Sequence, residues 1–315
     1  MPDAEIVVAA DGATEDIGAL AADARARTVP VAGPSGPAVA RNRAAAVATG
    51  DVLAFVDADV VADPDSIRGM CRLLESNPEV AAVFGAYDLS PAEPNFWSQY
   101  KNLSHACVHE SGNRDAVTFW AGLGAMRRAV FVDVGGFDER FARPSIEDID
   151  LGYRVHRAGH QLRLDPAFRG KHLKHWSLRS AVLTDIQARG IPWTQLIHRY
   201  GALSNDLNTS WGLRLSVPLS YLLVLGLLIL PFSPRWGAVV AAVALGLLCW
   251  LNRKYYAWFK RQRGWWFAIR VVPAHVLHHL CNGVSFVMGT AAHIGARMGV
   301  RIPGALPATD WTARR

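Results

Sequence analysis

The sequence contains few cysteines, and they are scattered along the chain. Cys71, Cys107, Cys249 and Cys281 have neither the density of a disulfide framework nor the spacing of a zinc site. They therefore indicate a reducing compartment. Met1-Pro2-Asp3 leads directly into an acidic, Ala-rich stretch, so no signal peptide is predicted.

Acidic residues are absent from a long part of the C-terminal region, between Asp206 and Asp310. Residues 251–315 contain ten Lys or Arg and one acid, whereas residues 1–250 contain 23 basic and 26 acidic residues. The net charge of +6 therefore comes from the C-terminal region. Because Trp, Leu and Val accumulate in the same region, the pattern favours membrane lipids over nucleic acid as a partner.

Long apolar runs are found only in this C-terminal region. The first, 213–232, is about 20 residues long, enough to cross a hydrocarbon core of about 30 Å. A turn at 233–235 separates it from a second run at 236–251. A third run, 271–294, is interrupted by proline and histidine and can span, lie in the interface or bend back. Basic residues after the second run predict a multi-pass protein of the cell membrane with its catalytic part in the cytoplasm.

Two features next to the apolar runs are also informative. Residues 177–200 have apolar side chains at helical intervals with basic residues between them, which predicts an amphipathic helix lying on the bilayer. His275, His278 and His279 have the spacing of one helix face. They can ligate a metal, but polar contacts between membrane helices are the favoured interpretation.

The N-terminal half alternates short apolar strands with helical segments. Strands are predicted at 4–10, 28–31, 52–56, 80–84 and 117–122, with helices of 10 to 15 residues alternating with them. This alternation predicts an α/β fold with a mostly parallel, doubly wound sheet. The Gly/Pro loop 33–37 lacks the glycine spacing of dinucleotide and Walker motifs, so it is interpreted as a tight connection.

Asp57 and Asp59 directly follow the apolar strand 52–56, which is predicted to be covered on both faces. In open α/β sheets, ligands bind at the carboxyl ends of the strands. Two carboxylates one residue apart can share Mg²⁺ or Mn²⁺ whose remaining ligands are phosphate oxygens. The alternative, that both residues only cap the following turn, is equally open.

A second group of acids, Glu147, Asp148 and Asp150, begins a helix after the loop Gly-Gly-Phe-Asp. Acids in the first turn of a helix stabilise its dipole, so capping is one interpretation. Three such acids behind a flexible loop exceed what capping requires. We therefore favour a site role for at least one of them.

Several stretches together carry a resemblance to a known family: VVAADGATED, GPAVARNRAAAVATGDVLAFVDADV, FWAGLGAMRRAVFVDVGGFDERF, IEDIDLGYRVHRAGHQL and PAFRGKH. Across about residues 5–176, the chain resembles the family 2 glycosyltransferases of GT-A fold, in the subgroup with C-terminal membrane helices. The usual first strand of that family has no counterpart, since the match begins at its second strand. Either the true start codon lies further upstream or the chain is a truncated, inactive relative; we favour the upstream start, because every later motif is intact.

The resemblance implies roles for individual residues in binding the donor. Asp11 is expected to hold the nucleotide base, Asp57 to lie near the ribose and the metal, and Asp59 to ligate the metal on the diphosphate. Arg41 and Asn42 lie in a matched stretch and are expected to contact the donor as well. His172 corresponds to a histidine near the metal or diphosphate, and its alternative is a solvated side chain in a basic patch.

The resemblance further implies an inverting single displacement. Asp148 is expected to be the general base that takes the proton from the acceptor hydroxyl, with Glu147 as its catalytic neighbour. The donor would be a nucleotide-diphosphate sugar, and the acceptor lipid-linked or membrane-proximal. An inactive, membrane-anchored pseudoenzyme that serves as an assembly protein is the main alternative, and a nucleotidyltransferase is a third.

These expectations divide the chain into four parts. They are a glycosyltransferase domain (1–176), an interface helix region (177–210), transmembrane helices (211–298) and a basic tail (299–315).

Overall fold

The computed structural model describes residues 4–13, 17–201 and 211–298. It separates into two compact units, the first made of Met1–Glu93 with Gly112–Lys174 and the second of Pro94–Ser111 with His175–Arg315. We call them the α/β unit and the helical unit. The α/β unit ends at Lys174, and Pro94–Ser111, which lies inside the predicted N-terminal domain, belongs to the helical unit. The tail 299–315 and residues 202–210 lie outside the described residues.

Strands and helices alternate along the first part of the chain and helices alone follow. The elements are β1 (Val7–Asp11), α1 (Ile17–Asp23), β2 (Arg27–Val31), α2 (Pro37–Val47), β3 (Val52–Val56), β4 (Val60–Ala62), α3 (Ser66–Ser76), β5 (Val80–Tyr87), α4 (Phe96–Ser111), β6 (Asp115–Ala116), β7 (Leu123–Arg127), α5 (Arg128–Asp133), α6 (Glu147–Arg157), β8 (Gln161–His172), α7 (Leu178–Leu183), a π-helical segment (Thr184–Gly190), α8 (Ile191–Tyr200), α9 (Trp211–Ile229), α10 (Pro234–Leu251) and α11 (Arg253–Arg297).

The α/β unit contains a six-stranded sheet in the order β3-β7-β5-β8-β4, with β6 paired to β8, and a separate β1-β2 pair. The pairs β1-β2 and β5-β8 are parallel, whereas the other four pairs are antiparallel. The α/β class is confirmed, but the sheet is mixed and not mostly parallel. Each antiparallel pair joins residues 40 or more positions apart in the chain, and local alternation of strands and helices does not predict the direction of such pairings.

The central strand β5 is buried along its whole length, as expected for a strand with neighbours on both sides. It packs with α3 and β7 through a cluster that includes Met70, Leu74 and Leu123. In contrast, β3 lies at the edge of the sheet and buries only alternate residues, Leu53 and Phe55. The prediction that this strand is covered on both faces is wrong. An apolar run does not disclose whether a strand is central or lies at an edge.

The apolar stretch 117–122, predicted as a strand, precedes the strand that forms, β7. Phe119 and Ala121 are nevertheless fully buried, within 1% exposure. The segment is apolar because it is buried, although its backbone is irregular. A short buried strand has the same sequence pattern, so the pattern does not distinguish the two. This segment, Trp120–Gly122 in particular, borders the site described below.

The helical unit contains α4, α7 to α11 and the π-helical segment. Three of its helices, Trp211–Ile229, Pro234–Leu251 and Arg253–Arg297, are long and apolar enough to cross a membrane, by length and composition. The third predicted run therefore belongs to one long helix. That helix is broken at Gly264, where φ is 81° and ψ is 175°.

The predicted single helix at 177–200 forms three consecutive elements, because the backbone passes through a π-helical segment. Within that segment Asp185 is buried and accepts hydrogen bonds from Lys101 Nζ at 2.5 Å and His278 Nδ1 at 2.9 Å. His278 thus makes a polar contact with the π-helical segment, and the contacts between membrane helices stay a prediction. The described residues contain no group of three side chains placed to hold a metal ion.

Candidate active site

The turn between β3 and β4 presents Asp57 and Asp59. The Asp57 N–H donates to the Gly122 carbonyl at 3.2 Å, and the Asp57 carbonyl accepts from the Val60 N–H at 2.9 Å. The Asp59 carbonyl accepts from the Leu173 N–H at 2.8 Å. Since α3 begins only at Ser66, neither carboxylate caps a helix. The backbone closes the turn and leaves both side chains free for other contacts.

Asp59 faces His172. The register of β4 and β8 pairs Val60 with His172, which places the imidazole Nε2 3.3 Å from Asp59 Oδ2. The hydrogen bond from His172 lowers the pKa of Asp59 below its ordinary value, although burial opposes it. His172 is buried and stacks on Tyr87 with ring centroids 4.4 Å apart, while the Asp59 side chain stays 46% exposed. The strand thus holds the imidazole rigidly beside an accessible carboxylate.

Asp59 and His172 can supply two ligands to a divalent cation, which needs further ligands to complete its coordination. Carboxylate oxygens suit Mg²⁺ and Mn²⁺, and imidazole is a common ligand of transition metals. The exposed side of Asp59 leaves space for further oxygen ligands from a bound diphosphate. The residues present therefore fit such an ion when substrate completes its coordination.

Asp57 faces Arg41 on α2. Arg41 bridges two acids, donating through Nη2 to Asp57 Oδ1 at 2.5 Å and through Nη1 to Glu147 Oε1 at 2.7 Å. Burial would lower the pKa of Arg41, but the two carboxylates together raise it above its ordinary value. The guanidinium also lies 5.3 Å from the Phe137 ring centroid. Arg41 therefore joins the β3 turn to the start of α6.

Glu147 and Asp148 have different surroundings. Glu147 is 4% exposed and accepts from Arg41 and, through Oε2, from the Ser145 N–H at 3.0 Å. Asp148 accepts from the Ala121 N–H at 3.1 Å and the Ile149 N–H at 2.8 Å. Burial, with the nearby charge of Glu147, raises the pKa of Asp148 to about 7. Asp148 is therefore suited to exchange a proton near neutral pH.

Asn42, next to Arg41 on α2, holds the Gly-Gly-Phe-Asp loop. Its Nδ2 donates to the Phe137 carbonyl at 2.9 Å, and its Oδ1 accepts from the Phe137 N–H at the same distance. A Cβ on Gly136 would lie 2.7 Å from Asn42 Oδ1. Asn42 Nδ2 also donates to Glu139 Oε1 at 3.0 Å, so the side chain fixes the loop that precedes α6 through backbone and side-chain partners.

Asp11, at the end of β1, contacts the Gly/Pro loop. Its Oδ1 and Oδ2 accept from the N–H groups of Ser35 and Gly36, each at 2.8 Å. Gly36 has φ of 96°, a conformation that favours glycine. Asp11 therefore shapes the loop that starts α2, the helix that carries Arg41 and Asn42.

The segment Trp120–Gly122 was not identified as part of the site from the sequence. It contacts both the Asp57 turn and Asp148. Trp120 packs edge-on against Tyr87 at 4.8 Å, the Ala121 N–H holds Asp148, and the Gly122 carbonyl holds Asp57. Its only sequence signal is its place in the matched run that begins FWAG.

Comparison with known proteins supports a family relationship. Residues 1–135 match the family model described as Glycosyl transferase family 2. The chain is 30% identical over 115 residues to a glucosyl-dolichyl phosphate glucuronosyltransferase of Haloferax volcanii, covering 34% of this chain and 36% of that protein. It is 33% identical over 162 residues to a pre-mycofactocin glycosyltransferase of Mycobacterium tuberculosis, covering 46% and 33% respectively. The matches thus span about a third of the length of these curated relatives.

Among solved structures, the chain is similar to the mannosyltransferase PcManGT from Pyrobaculum calidifontis, in complex with GDP-Man and Mn²⁺. The identity is 16%, the coverage 92% of this chain and 77% of that one, and the TM-score 0.48. An α/β unit with a mixed sheet agrees with the GT-A fold that the family resemblance implies. The N-terminal 135 residues thus resemble glycosyl transferase family 2, and the chain is similar to these curated glycosyltransferases over part of its length.

Proposed function

We propose that the chain transfers a sugar from a nucleotide-diphosphate sugar to a lipid-linked or membrane-proximal acceptor, by a metal-dependent inverting displacement. One observation carries this proposal. Within the α/β unit, an accessible carboxylate beside a buried imidazole is separate from a second carboxylate whose pKa is raised to about 7. The carboxylate–imidazole pair, Asp59 and His172, is suited to binding a metal ion at the leaving diphosphate. The second carboxylate, Asp148, is suited to accepting the proton of the acceptor hydroxyl.

On the donor side, Asp59 and His172 would hold Mg²⁺ or Mn²⁺, which supplies positive charge for the leaving diphosphate. Asp57 lies at the same turn and is kept in place by Arg41. Asp11 and Asn42 support this side through the backbone that they fix, on the Gly/Pro loop and the Phe137 loop. We further propose that Asp11, Arg41 and Asn42 contact the nucleotide-sugar substrate.

On the acceptor side, Asp148 takes the proton. The acceptor oxygen forms a bond to the anomeric carbon while the bond from that carbon to the diphosphate oxygen breaks. The hydroxyl proton passes to the Asp148 carboxylate, and a single displacement inverts the configuration. A base with pKa about 7 is well matched to this task at neutral pH. Glu147 assists by holding Arg41 and by raising the pKa of Asp148.

The proposed acceptor rests on two observations. The helical unit contains three candidate membrane spans, and one curated relative is named for action on glucosyl-dolichyl phosphate. Basic residues following α10 favour the cytoplasm for this end of the helix. If α9 and α10 both cross, the chain returns to the side from which it entered, so we place the catalytic residues, which precede α9, on the cytoplasmic side as well.

The test is titration calorimetry of the purified full chain in detergent with UDP and GDP, each with and without Mn²⁺. We expect Asp59→Ala to abolish metal-dependent nucleotide binding and Asp148→Asn to preserve it. Transfer is then measured from radiolabelled UDP-glucose, UDP-glucuronic acid and GDP-mannose to glucosyl-dolichyl phosphate and glucosyl-undecaprenyl phosphate, whose sugars offer acceptor hydroxyls. We expect Asp148→Asn to remove it.

Equal loss of nucleotide binding in both variants would contradict the division of roles between Asp59 and Asp148. Binding by the wild type without transfer to either lipid would favour the non-catalytic assembly protein. The engagement of Asp11 by the backbone N–H groups of Ser35 and Gly36 is the observation that fits this alternative. Release of pyrophosphate from UTP with a sugar 1-phosphate would instead indicate a nucleotidyltransferase.

A further inference from the structure

The first part of α11 differs from the rest of that helix. α11 has 45 residues, more than twice the number, about 20, that crosses a hydrocarbon core of about 30 Å. The helix is interrupted at Gly264, where the backbone has a positive φ of 81°. Residues 253–263 therefore form a separate helical segment, which we call the basic segment.

One face of the basic segment carries only cations and alanine. With 3.6 residues per turn, positions 253, 254, 257, 260 and 261 fall on one side of the helix. These are Arg253, Lys254, Ala257, Lys260 and Arg261, and all five are exposed. Since the chain has no acid between Asp206 and Asp310, no nearby acidic residue of this stretch offsets the charge.

The opposite face is packed against α4. The Trp258 Nε1–H donates to Glu110 Oε2 at 2.8 Å, the Tyr255 hydroxyl lies 2.7 Å from Ser104 Oγ, and Phe259 is fully buried. The orientation of the segment is thus fixed by contacts within the helical unit. Its basic face is presented outward by those contacts.

Exposed tryptophans follow the basic face at the break. Trp265 is 67% exposed and Trp266 73% exposed, directly after Gly264. Lys260 lies 4.0 Å from the Trp265 ring centroid, so the cation and the ring form one surface across the break. Tryptophan beside Lys and Arg is typical of the membrane–water boundary, where the ring sits at headgroup level.

We propose that the basic segment lies along the bilayer surface and binds the headgroups of anionic phospholipids, and that α11 enters the membrane only after Gly264. The cations contact the lipid phosphates, while Trp265 and Trp266 lie among the headgroups. Charge complementarity selects this occupant, because exposed cations on a fixed face attract an anionic leaflet. The candidate span α10 ends at Leu251, immediately before the segment, which keeps it at the membrane boundary.

The test measures lipid selectivity of the full chain reconstituted in phosphatidylcholine vesicles. Spin-labelled phosphatidylglycerol and phosphatidylcholine report the lipid fraction that the protein immobilises. We expect the wild type to favour phosphatidylglycerol by about twofold or more at low salt, and high salt to weaken the preference. The triple variant Lys254→Gln, Lys260→Gln, Arg261→Gln should lose it. A matched triple variant with exposed arginines of the α/β unit, Arg43→Gln, Arg72→Gln, Arg143→Gln, should keep it.

A second readout covers the case in which the triple variant folds poorly. Brominated phosphatidylcholine quenches tryptophan fluorescence, and the difference between wild type and Trp265→Phe, Trp266→Phe reports those two rings. We expect stronger quenching by bromines near the headgroup than by bromines deep in the chains. Deep quenching, or a phosphatidylglycerol preference that survives the Lys254, Lys260 and Arg261 changes, would overturn the proposal.

Discussion

At the scale of single residues, Glu147 and Asp148 show how much depends on partners that are distant in sequence. Both acids stand in the same helix turn, so sequence reasoning identified the pair as a site but gave no physical ground for separating them. Glu147 is neutralised by Arg41, which is 106 residues away, while Asp148 meets only backbone donors. Burial and the nearby charge of Glu147 raise the pKa of Asp148, which makes it the stronger candidate for the base.

The raised pKa predicts the pH dependence of transfer. Asp148 accepts a proton only when ionised, so kcat/KM should rise with pH and level off above about 7. Asp148→Asn should lower the rate by about 10²- to 10⁴-fold at pH 8, which corresponds to loss of a general base. The measurement is kcat/KM from about pH 5 to about pH 9 for both proteins. A profile that is flat across neutral pH would exclude this role.

Stability should respond to pH in a linked way. The pKa of Asp148 rises from 3.8 to about 7 on folding, so the folded state favours the proton. Its contribution to stability is fully present below about pH 4 and is lost as pH rises through about 7. Asp148→Asn should therefore raise the melting temperature relative to wild type at pH 8 more than at pH 5. Equal effects at both values would show that Asp148 does not carry the raised pKa.

At the scale of elements, alternation of strands and helices correctly predicted the α/β class, because each short apolar run needs a helix to cover it. Strand direction was not predictable in this way. β7 pairs antiparallel with both β3 and β5, and those pairings connect segments 40 or more residues apart. Local periodicity carries no information about such pairings, so the edge position of β3 was missed.

The close approach of α6 to the segment before Trp120 gives an element-level prediction. A Cβ on Gly152 would lie 2.2 Å from the Phe119 backbone nitrogen. Gly152→Ala should therefore push α6 away from the segment that holds Asp148, at a cost of about 1–3 kcal/mol. We expect a lower melting temperature, with transfer reduced more strongly than nucleotide binding.

Gly50→Ala is the matched control, because its added Cβ would lie 3.6 Å from the Val52 carbonyl, an ordinary contact. It should leave the melting temperature and the transfer rate near those of wild type. If the two variants behave alike in calorimetry and transfer assays, the contact between α6 and Phe119 does not position Asp148.

At the scale of the whole molecule, hydropathy predicted apolar runs that overlap the three helices long and apolar enough to cross a membrane, by length and composition. It did not predict that α4 belongs to the helical unit. The aromatic residues Phe96, Trp97 and Tyr100 are compatible with either unit, and only contacts with residues far along the chain decide between them.

The candidate spans predict a membrane arrangement that labelling can test. If α10 crosses the bilayer, Arg235 at its start and Arg253 just beyond its end lie on opposite sides. Arg235→Cys and Arg253→Cys, each in a chain whose native cysteines are replaced by serine, should react with an impermeant maleimide from opposite faces of sealed vesicles. Labelling of both from the same face would show that α10 does not cross.

The division of the chain into two units has a consequence for its synthesis. α4 is translated between β5 and β6, yet Lys101, Ser104 and Glu110 find their partners in residues made only after Lys174. During translation, α4 forms these contacts only after the C-terminal helices have been synthesised, and its apolar face is uncovered until then. A fragment that stops near Lys174 would keep that face exposed permanently. We therefore expect it to aggregate when it is expressed as a soluble catalytic domain.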